Sequence, residues 1–515
     1  MTQPKPNSRT TAKYIPTLHL TPSTLQPKLI AESPQLSTTD NKLFIKQQGL
    51  EEHDAYYTYY RHGPLARVVL GQQQVQGVDY AYTLQGWLKG INKSNGSYLY
   101  DMGGDLRGAA LDAYGYTLYY YDGDYAPINF SIRQPFAEYK AYMQSLYPGQ
   151  YRQLFNGNIS ATATSIPTRF HSQLYHYRYD QLNRLADMDV YLGLTPENNW
   201  STLEHTETFK ERYSYDGNGN IKTVLRHGHL SANPLMDSLT YMYTPGTNRL
   251  DHIRDKYFGS TAHNSNYNVN RDIKDQVAGN YAYDAIGNIK SAKWMGDDTI
   301  RWNIYGKVIE VVKRSLAGVT SRFMHYYYDP SGNRVGQAIQ HNTGPSAYFN
   351  YLWYVRDAQG NVLAVYRLNN AAGPSSSGLK LAEQYIYGSS RLGVMNYSQD
   401  VDADKVTAVE ERNLGDTYLL NFTRGQKLFE LTNHLGSILA TVDDTRWGSP
   451  VWDNPVMVNY WNPKIISATE HYPYGMLMRN SYASIEYRYG FNGKEYENEV
   501  QAAGNLLDYG NRLYD

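Results

Sequence analysis

The sequence predicts an all-β protein built from hairpins. Three observations carry that expectation: an excess of tyrosine, a short hairpin-forming unit that recurs along the chain, and few segments with helical periodicity. The 515 residues include 52 Tyr against 12 Phe and 8 Trp. Tyrosine is favoured in strands, and it joins an apolar ring to a polar tip, which suits a half-wet surface. Mean hydropathy is −0.61 although 41% of the residues count as hydrophobic, because much of that count is Tyr. A thick dry core would use more Phe, Ile and Leu. The composition describes a large, thin β-structure with much surface per residue; an ordinary β-sandwich array rich in Tyr fits it equally well.

The recurring unit is the stronger signal. It appears as Tyr177-Arg-Tyr-Asp-Gln-Leu-Asn-Arg-Leu185, Tyr213-Ser-Tyr-Asp-Gly-Asn-Gly-Asn-Ile221, Tyr281-Ala-Tyr-Asp-Ala-Ile-Gly-Asn-Ile289 and Tyr326-Tyr-Tyr-Asp-Pro-Ser-Gly-Asn-Arg-Val335. Looser copies begin at Tyr57, Tyr80, Tyr241, Ile300 and Tyr354. The consensus is Tyr-x-Tyr-Asp-x-x-Gly-Asn/Arg followed by Leu, Ile or Val. Two Tyr spaced by two residues share one face of a strand. The Asp side chain can bond turn amides, Gly supplies a positive φ, and Asn tolerates the left-handed region. An aliphatic residue then opens the returning strand. Each copy is therefore a hairpin corner with a loop of about four to five residues, and a row of them can merge into one sheet.

Outside the repeats, residues 1–40 are rich in Pro, Ser and Thr without periodicity and read as a flexible lead-in. The stretch Asn369–Lys380, with Ala-Ala-Gly-Pro-Ser-Ser-Ser-Gly, reads as an exposed loop. Pro135–Leu146 is the best helical segment, closed by Pro148-Gly149, and Glu204–Glu211 is a second, weaker one. The net charge of −1 and the lack of a long basic block argue against nucleic acid or an anionic membrane surface as the main partner. With no Cys, disulfides and thiolate metal sites are excluded. No run of about 18 apolar residues is present to span a membrane as a helix. Met1–Leu20 has no apolar core of the kind that marks a signal peptide.

The repeat consensus resembles the YD repeat of the Rhs family, from about Tyr57 onward. The C-terminal residues add to the resemblance: His471-Tyr-Pro-Tyr-Gly-Met476, Tyr487-Arg-Tyr-Gly-Phe-Asn-Gly-Lys-Glu495 and Leu507-Asp-Tyr-Gly-Asn-Arg-Leu-Tyr-Asp515 look like the start of the Rhs repeat-associated core. Phe429–Val442 is similar to the segment that precedes that core, and Asn511 departs from the small residue more usual there. The resemblance implies a long β-sheet wound in a spiral, with one or two short helices, that forms a hollow shell around a C-terminal toxin payload. On this reading 1–40 is lead-in, 41–470 is shell, and 471–515 begins the core. The core pattern stops at Asp515, so the resemblance implies part of a closed shell, completed by a payload or an adjacent chain. Open sheet edges near Tyr57–Leu70 and Tyr487–Asp515 would then invite self-association. Self-cleavage is not expected, because the family's aspartate-containing cleavage motif lies beyond the core.

Several residue patterns bear on chemistry. Asp216-Gly-Asn218-Gly-Asn220 has the alternating oxygens that begin a calcium loop, but Ile221 stands where Gly is required and His227 where Glu is required. Asp122-Gly-Asp124 is a similar pair. His227-Gly-His229 could place two imidazoles on one strand face, without a third ligand at a recognisable spacing. Gly373–Gly378 lacks the nucleophile-elbow spacing, and no phosphate-binding loop or dinucleotide fingerprint occurs. Asn95-Gly96, Asn156-Gly157 and Asn492-Gly493 are turn candidates. Asn158-Ile-Ser160 and Asn421-Phe-Thr423 are sequons that matter only in a glycosylating host. A glycosidase-type carboxylate pair stays open among 49 acidic residues.

The expectation is thus a non-enzymatic bacterial shell or scaffold segment, with no catalytic, metal or cofactor residues assigned. Export or surface display would use a route not visible in the sequence. The alternative is a surface module that binds carbohydrate through exposed Tyr, with glycan in place of the toxin payload as partner. A hydrolase on a β-propeller would need evenly spaced blades, and the repeats are irregular. Rings packed along the wall favour enclosure; rings exposed along an outer groove favour sugar.

Overall fold

The computed structural model describes residues 9–12, 52–93, 98–105, 108–127, 133–166, 170–232, 234–256, 273, 275–293, 298–314, 320–341, 348–369, 378–400, 423–452, 454–478, 487–498, 506–508 and 513–514. The fold is all-β, as the repeats predict. A first antiparallel sheet runs in chain order through β1 (Arg9–Ala12), β2 (Ala55–Tyr59), β3 (Leu65–Leu70), β4 (Gln76–Tyr82), β5 (Leu88–Ile91), β6 (Gly115–Tyr119), β7 (Ala161–Ile166), β8 (Phe170–Tyr179), β9 (Leu185–Leu192), β10 (Glu204–Tyr215), β11 (Ile221–His227), β12 (Leu235–Tyr243) and β13 (Leu250–Asp255). A second continues with β14 (Tyr281–Tyr283), β15 (Ile289–Ala292), β16 (Asp298–Trp302), β17 (Val308–Arg314), β18 (Thr320–Tyr328), β19 (Arg334–His341), β20 (Tyr348–Arg356), β21 (Val362–Asn369), β22 (Lys380–Tyr387), β23 (Arg391–Asp400), β24 (Lys427–Thr432), β25 (Ile438–Val451) and β26 (Asn454–Ala468). Both sheets have 13 strands in strict sequence order, and neither closes into a barrel. A small third sheet joins β27 (Glu495–Tyr496), β28 (Leu507–Asp508) and β29 (Leu513–Tyr514).

The repeat chemistry explains each corner. In the second strict copy, Asp216 N donates to Asn220 O at 2.9 Å and Gly219 N donates to Asp216 O at 3.1 Å, closing the loop. Asp216 Oδ1 accepts from Asn218 N at 2.9 Å and Asn220 N at 2.8 Å, while Oδ2 accepts from Asn220 Nδ2 at 2.8 Å. Gly219 has φ +90°, which a side chain rarely tolerates. Asp284 and Asp357 repeat the full bonding pattern, and Asp329 accepts from the amide and side chain of Asn333. Asn303 and Asn433 stand in for Asp with their amide oxygens.

The second aromatic of the unit has a further role that the sequence does not display. Its polar tip donates to the first carbonyl of the returning strand one hairpin earlier. Tyr215 reaches Leu185 O at 2.6 Å, Tyr243 reaches Ile221 O at 2.8 Å, and Tyr283 reaches Leu250 O at 2.8 Å. Trp302 Nε1 reaches Ile289 O at 2.7 Å, Tyr328 reaches Val308 O at 2.7 Å, and Tyr387 reaches Val362 O at 2.9 Å. Each hairpin is thereby tied to its predecessor by a side-chain bond that Phe could not make. The strand register also shifts by one residue at this same aromatic, as at Ser214/Tyr215, Met242/Tyr243, Ala282/Tyr283, Arg301/Trp302 and Tyr327/Tyr328.

Four sequence expectations need correction. Glu204–Glu211 is not helix but part of β10, where Phe209, Glu211 and Tyr213 are buried with period two. The helix in Pro135–Leu146 covers only Lys140–Leu146 (α1), whose Met143 is buried. The expected open edges are misplaced: β2 is paired on both sides by β1 and β3, and the edge strands are β1 and β13 of the first sheet and β14 and β26 of the second. Residues 487–498 are not an edge of the long sheets but lie against their face. Arg9–Ala12 forms a strand although composition reads 1–40 as lead-in.

The two ends of the array meet. Ala55, Val68 and Leu70 of the first sheet share a core with Ile386, Phe429 and Val442 of the second. Lys427 Nζ lies 2.6 Å from Asp54 Oδ1 and 2.8 Å from Glu52 Oε2 at the margin of that core.

Candidate functional site

The feature that crosses most of the molecule is made by residues 470–478 and 487–498, in and beside the stretch 471–515 that the sequence marks as the start of a core. It lies on one face of both sheets. Against the first sheet, Glu470 Oε1 accepts from Thr164 Oγ1 at 2.7 Å, Tyr472 OH donates to His227 O at 2.5 Å, and Tyr474 OH is 2.7 Å from Tyr215 OH. Met476 Sδ sits 2.9 Å from Arg226 Nη1. That Arg is itself buried, between Glu211 at 2.5 Å and Asp237 at 2.9 Å.

Against the second sheet the contacts become ionic. Tyr487 donates to Glu430, which also pairs with Arg391 at 2.8 Å. Arg488 pairs with Glu495 and with Glu383 at 3.4 Å, and donates to Tyr354 OH at 2.9 Å. Tyr489 OH is 2.6 Å from Tyr385 OH. Glu497 pairs with Arg334, and Arg334 reaches Asp508 at 2.6 Å. Burial pushes the Glu495 carboxyl up, but Arg488 and Arg334 outweigh it and hold the group below its usual range. Tyr213, Tyr326 and Tyr354, each the first residue of a repeat copy, are buried, as is Tyr385, whereas Tyr177, Tyr241 and Tyr281 are half-buried.

A small cavity, with room for about 90 Å³ of water, lies where residues 470–473 pass the first sheet. Thr164 and Tyr175 come from β7 and β8, His434 from the β24–β25 turn, and Glu470, His471 and Tyr472 from the segment itself. Burial pushes the Glu470 carboxyl up towards its neutral form. Burial lowers both His434 and His471 to about 4, so both are neutral near pH 7. The cavity wall thus sets two neutral imidazoles and the Thr164 and Tyr175 hydroxyls beside the Glu470 carboxyl.

The opposite, uncovered face of the second sheet carries aromatic rings instead. Phe349, Tyr351 and Trp353 follow one another along β20, the last two within 3° of parallel at 6.3 Å. Trp353 stacks on Tyr327 of β18 at 5.7 Å, across the small Gly336 of β19. Beside them His325 faces Glu310, which pairs with Arg301.

The residues singled out in the sequence do not converge. Asp216, Asn218 and Asn220 are spent on the turn described above. Asp122 pairs with Lys140 at the surface, whereas Asp124 is buried 2.8 Å from Lys89. His227 Nδ1 lies 2.6 Å from Glu207 O, and burial lowers its pKa. Asn492-Gly493 forms the expected turn, with φ of 52° and 64°. Ser160 of the first sequon is buried against Tyr119 O. Gly373–Ser377, Asn95-Gly96 and Asn421 lie outside the described residues.

A carboxylate group that sequence reasoning missed is Asp79, Asp101 and Asp105, whose oxygens lie within 4.8 Å of one another. The Arg67 guanidinium already sits among them, 2.5 Å from Asp79 and paired with Asp105. Gly103 leaves room for it, since a Cβ there would fall on the guanidinium. Arg67 takes the place a cation would hold.

Fold and face together define an antiparallel repeat-hairpin β-protein with a C-terminal segment bound along one side. No protein-family model matches the chain, and no curated protein matches it. Among solved structures it is similar to a chain in the crystal structure of TcdB2-TccC3-Cdc42, with TM-score 0.42 and 15% identity over 92% of this chain and 21% of that one. It is also similar to a chain of the Photorhabdus luminescens Tc holotoxin pore, with TM-score 0.41 and 15% identity over 89% of this chain and 19% of that one. The chain spans about a fifth of the length of those it matches. Likeness of this degree assigns no function.

Proposed function

We propose that this chain is a structural wall segment of an Rhs-type toxin shell, bacterial and exported or surface-displayed, with no catalytic site of its own. The observation that supports the reading is the wall itself. Successive hairpins are knitted by tyrosine bonds, and the core-like residues 470–478 and 487–498 are held along one face by buried polar contacts. Such a face could hold a passenger chain near the segment's own attachment without chemistry. The test is a compact reporter enzyme fused after Asp515. The reporter should be shielded from protease and silent while the wall is folded. A reporter cleaved and active at the rate of the free enzyme would defeat the reading. The purified chain itself should stay one band near 58.9 kDa; a discrete fragment growing with time without added protease would reveal an active site.

A second reading, carbohydrate binding, is supported by the uncovered ladder of Phe349, Tyr351, Trp353 and Tyr327. Flat parallel rings beside the Arg301–Glu310 pair are a stacking surface for sugar rings. Titration calorimetry with oligosaccharides should then show heat that Trp353→Ala abolishes. No heat with any sugar removes this reading and leaves the first intact.

A further inference from the structure

Lysine is among the side chains that proteins bury least, yet Lys89 of β5 is fully buried. Its Nζ lies 2.8 Å from Asp124 Oδ1, and Asp124 is buried as well. The Tyr119 ring centre is 4.3 Å from the same nitrogen, and Phe136 packs against Gly90, the next residue of the strand. Tyr120 N donates to the other carboxylate oxygen, Oδ2, at 3.0 Å. The turn after β6 thus fixes the Asp124 carboxyl with one oxygen on the amine and the other on a backbone amide.

Two other buried lysines are placed differently. Lys93 lies 2.6 Å from Asp112, with Asp101 and Asp105 acting on it, and Lys427 sits between Asp54 and Glu52. At both, burial opposes the charge but the acids outweigh it and hold the ammonium above its usual pKa. Lys89 touches Asp124, and Glu138 acts on it only through its charge. There burial wins and pushes the group towards the neutral amine, the form of lysine that is a nucleophile.

The contact has the chemistry of an amide bond waiting to form. One proton moving from Nζ to Oδ1 turns the ammonium and carboxylate into an amine and a carboxylic acid. Nζ then adds to the acid carbon, and the negative charge that develops on Oδ2 meets the Tyr120 N–H. A second proton passes from Nζ to the Oδ1 hydroxyl, which leaves as water. One N–C bond forms and one C–O bond breaks; an ammonium and a carboxylate become an amide and a water, with no oxidant or other reactant. Fixed contact in a site that excludes water supplies what this condensation lacks in solution.

We propose that Lys89 and Asp124 condense into an intramolecular amide, a covalent staple between β5 and the turn that follows β6. It joins residues 35 apart in sequence by a bond that no reductant opens, in a chain without Cys. The chain reacts once, with itself, whatever the wall encloses. Mass spectrometry of the intact full chain, incubated folded, should give the sequence mass less one water. Trypsin should skip Lys89, and Val68–Lys93 should emerge joined to Gly108–Arg133. Lys89→Arg keeps a cation beside Asp124 but offers no amine, and should regain the whole water, as should Asp124→Ala. An incubated parent at the full sequence mass overturns the proposal whatever the variants do. So does a lost water that persists in Lys89→Arg, or one that maps to an unbranched Gly108–Arg133, where Asp122-Gly123 can close to a succinimide.

Discussion

Replacing the tying tyrosines with phenylalanine isolates one atom per repeat. Tyr243, Tyr283, Tyr328 and Tyr387 donate to carbonyls 2.7 to 2.9 Å away. Burial raises Tyr243, Tyr328 and Tyr387 to about 12, so they remain protonated donors at any ordinary pH. Each Phe keeps the half-buried ring and loses one bond, at a net cost of about 1 kcal/mol. The four sites occupy separate hairpins and should add, giving about 4 kcal/mol for the quadruple variant. With about 2.1 cal/mol/K per residue, a single cooperative unit of 515 residues would lose about 4 °C in melting temperature. If the array opens in sections, the loss concentrates between Tyr243 and Tyr387 and is larger there. Calorimetry gives the melting shift, and hydrogen exchange of β12 to β22 locates it. A quadruple Phe variant as stable as the parent, beside Leu variants that are not, would show that ring packing alone explains the tyrosines.

Other outcomes follow from the charged groups. The Asn333 amide and side chain hold the Asp329 carboxyl below its usual value, so its contribution is present above the ordinary carboxylate pKa and lost as pH falls through the depressed one; Asp329→Asn, like native Asn303 and Asn433, should flatten that acid limb in urea titrations while costing little at neutral pH. Burial raises Glu470, so the parent loses stability as pH rises above the ordinary glutamate value. Glu470→Gln should remove that loss and give a higher urea midpoint at mildly alkaline pH; an unchanged pH profile would refute it. Glu497→Ala leaves buried Arg334 with Asp508 alone and should cost about 3–5 kcal/mol, with hydrogen exchange rising first along Glu495–Glu497.

How much of this was legible beforehand divides by range. The corners were readable because Asp216, Gly219 and Asn220 act within five residues of one another, and local turn chemistry is written locally. Glu204–Glu211 misled because Glu and Lys favour a helix, and only packing shows Phe209 and Glu211 on one strand face. The ring-to-carbonyl ties span 13 to 33 residues in sequence and leave no signal beyond a surplus of Tyr. Contacts such as Tyr472 with His227 or Glu497 with Arg334 join segments far apart, so the covered face could not be foreseen. The same holds for Arg67 among Asp79 and Asp105, and for the paired flanks of β2, which displaced the expected open edge.

The one-residue register slip recurs at the same aromatic in hairpin after hairpin. A bulge bends its strand and adds right-handed twist. Because the slips share position and sense, their contributions sum and do not cancel. Curvature is then counted out in whole repeats, like links of one shape in a chain. Inserting or deleting one unit would add or remove one such bend and leave every other corner's chemistry untouched. A lineage could resize such a wall by copying about thirty residues, with no new core to invent.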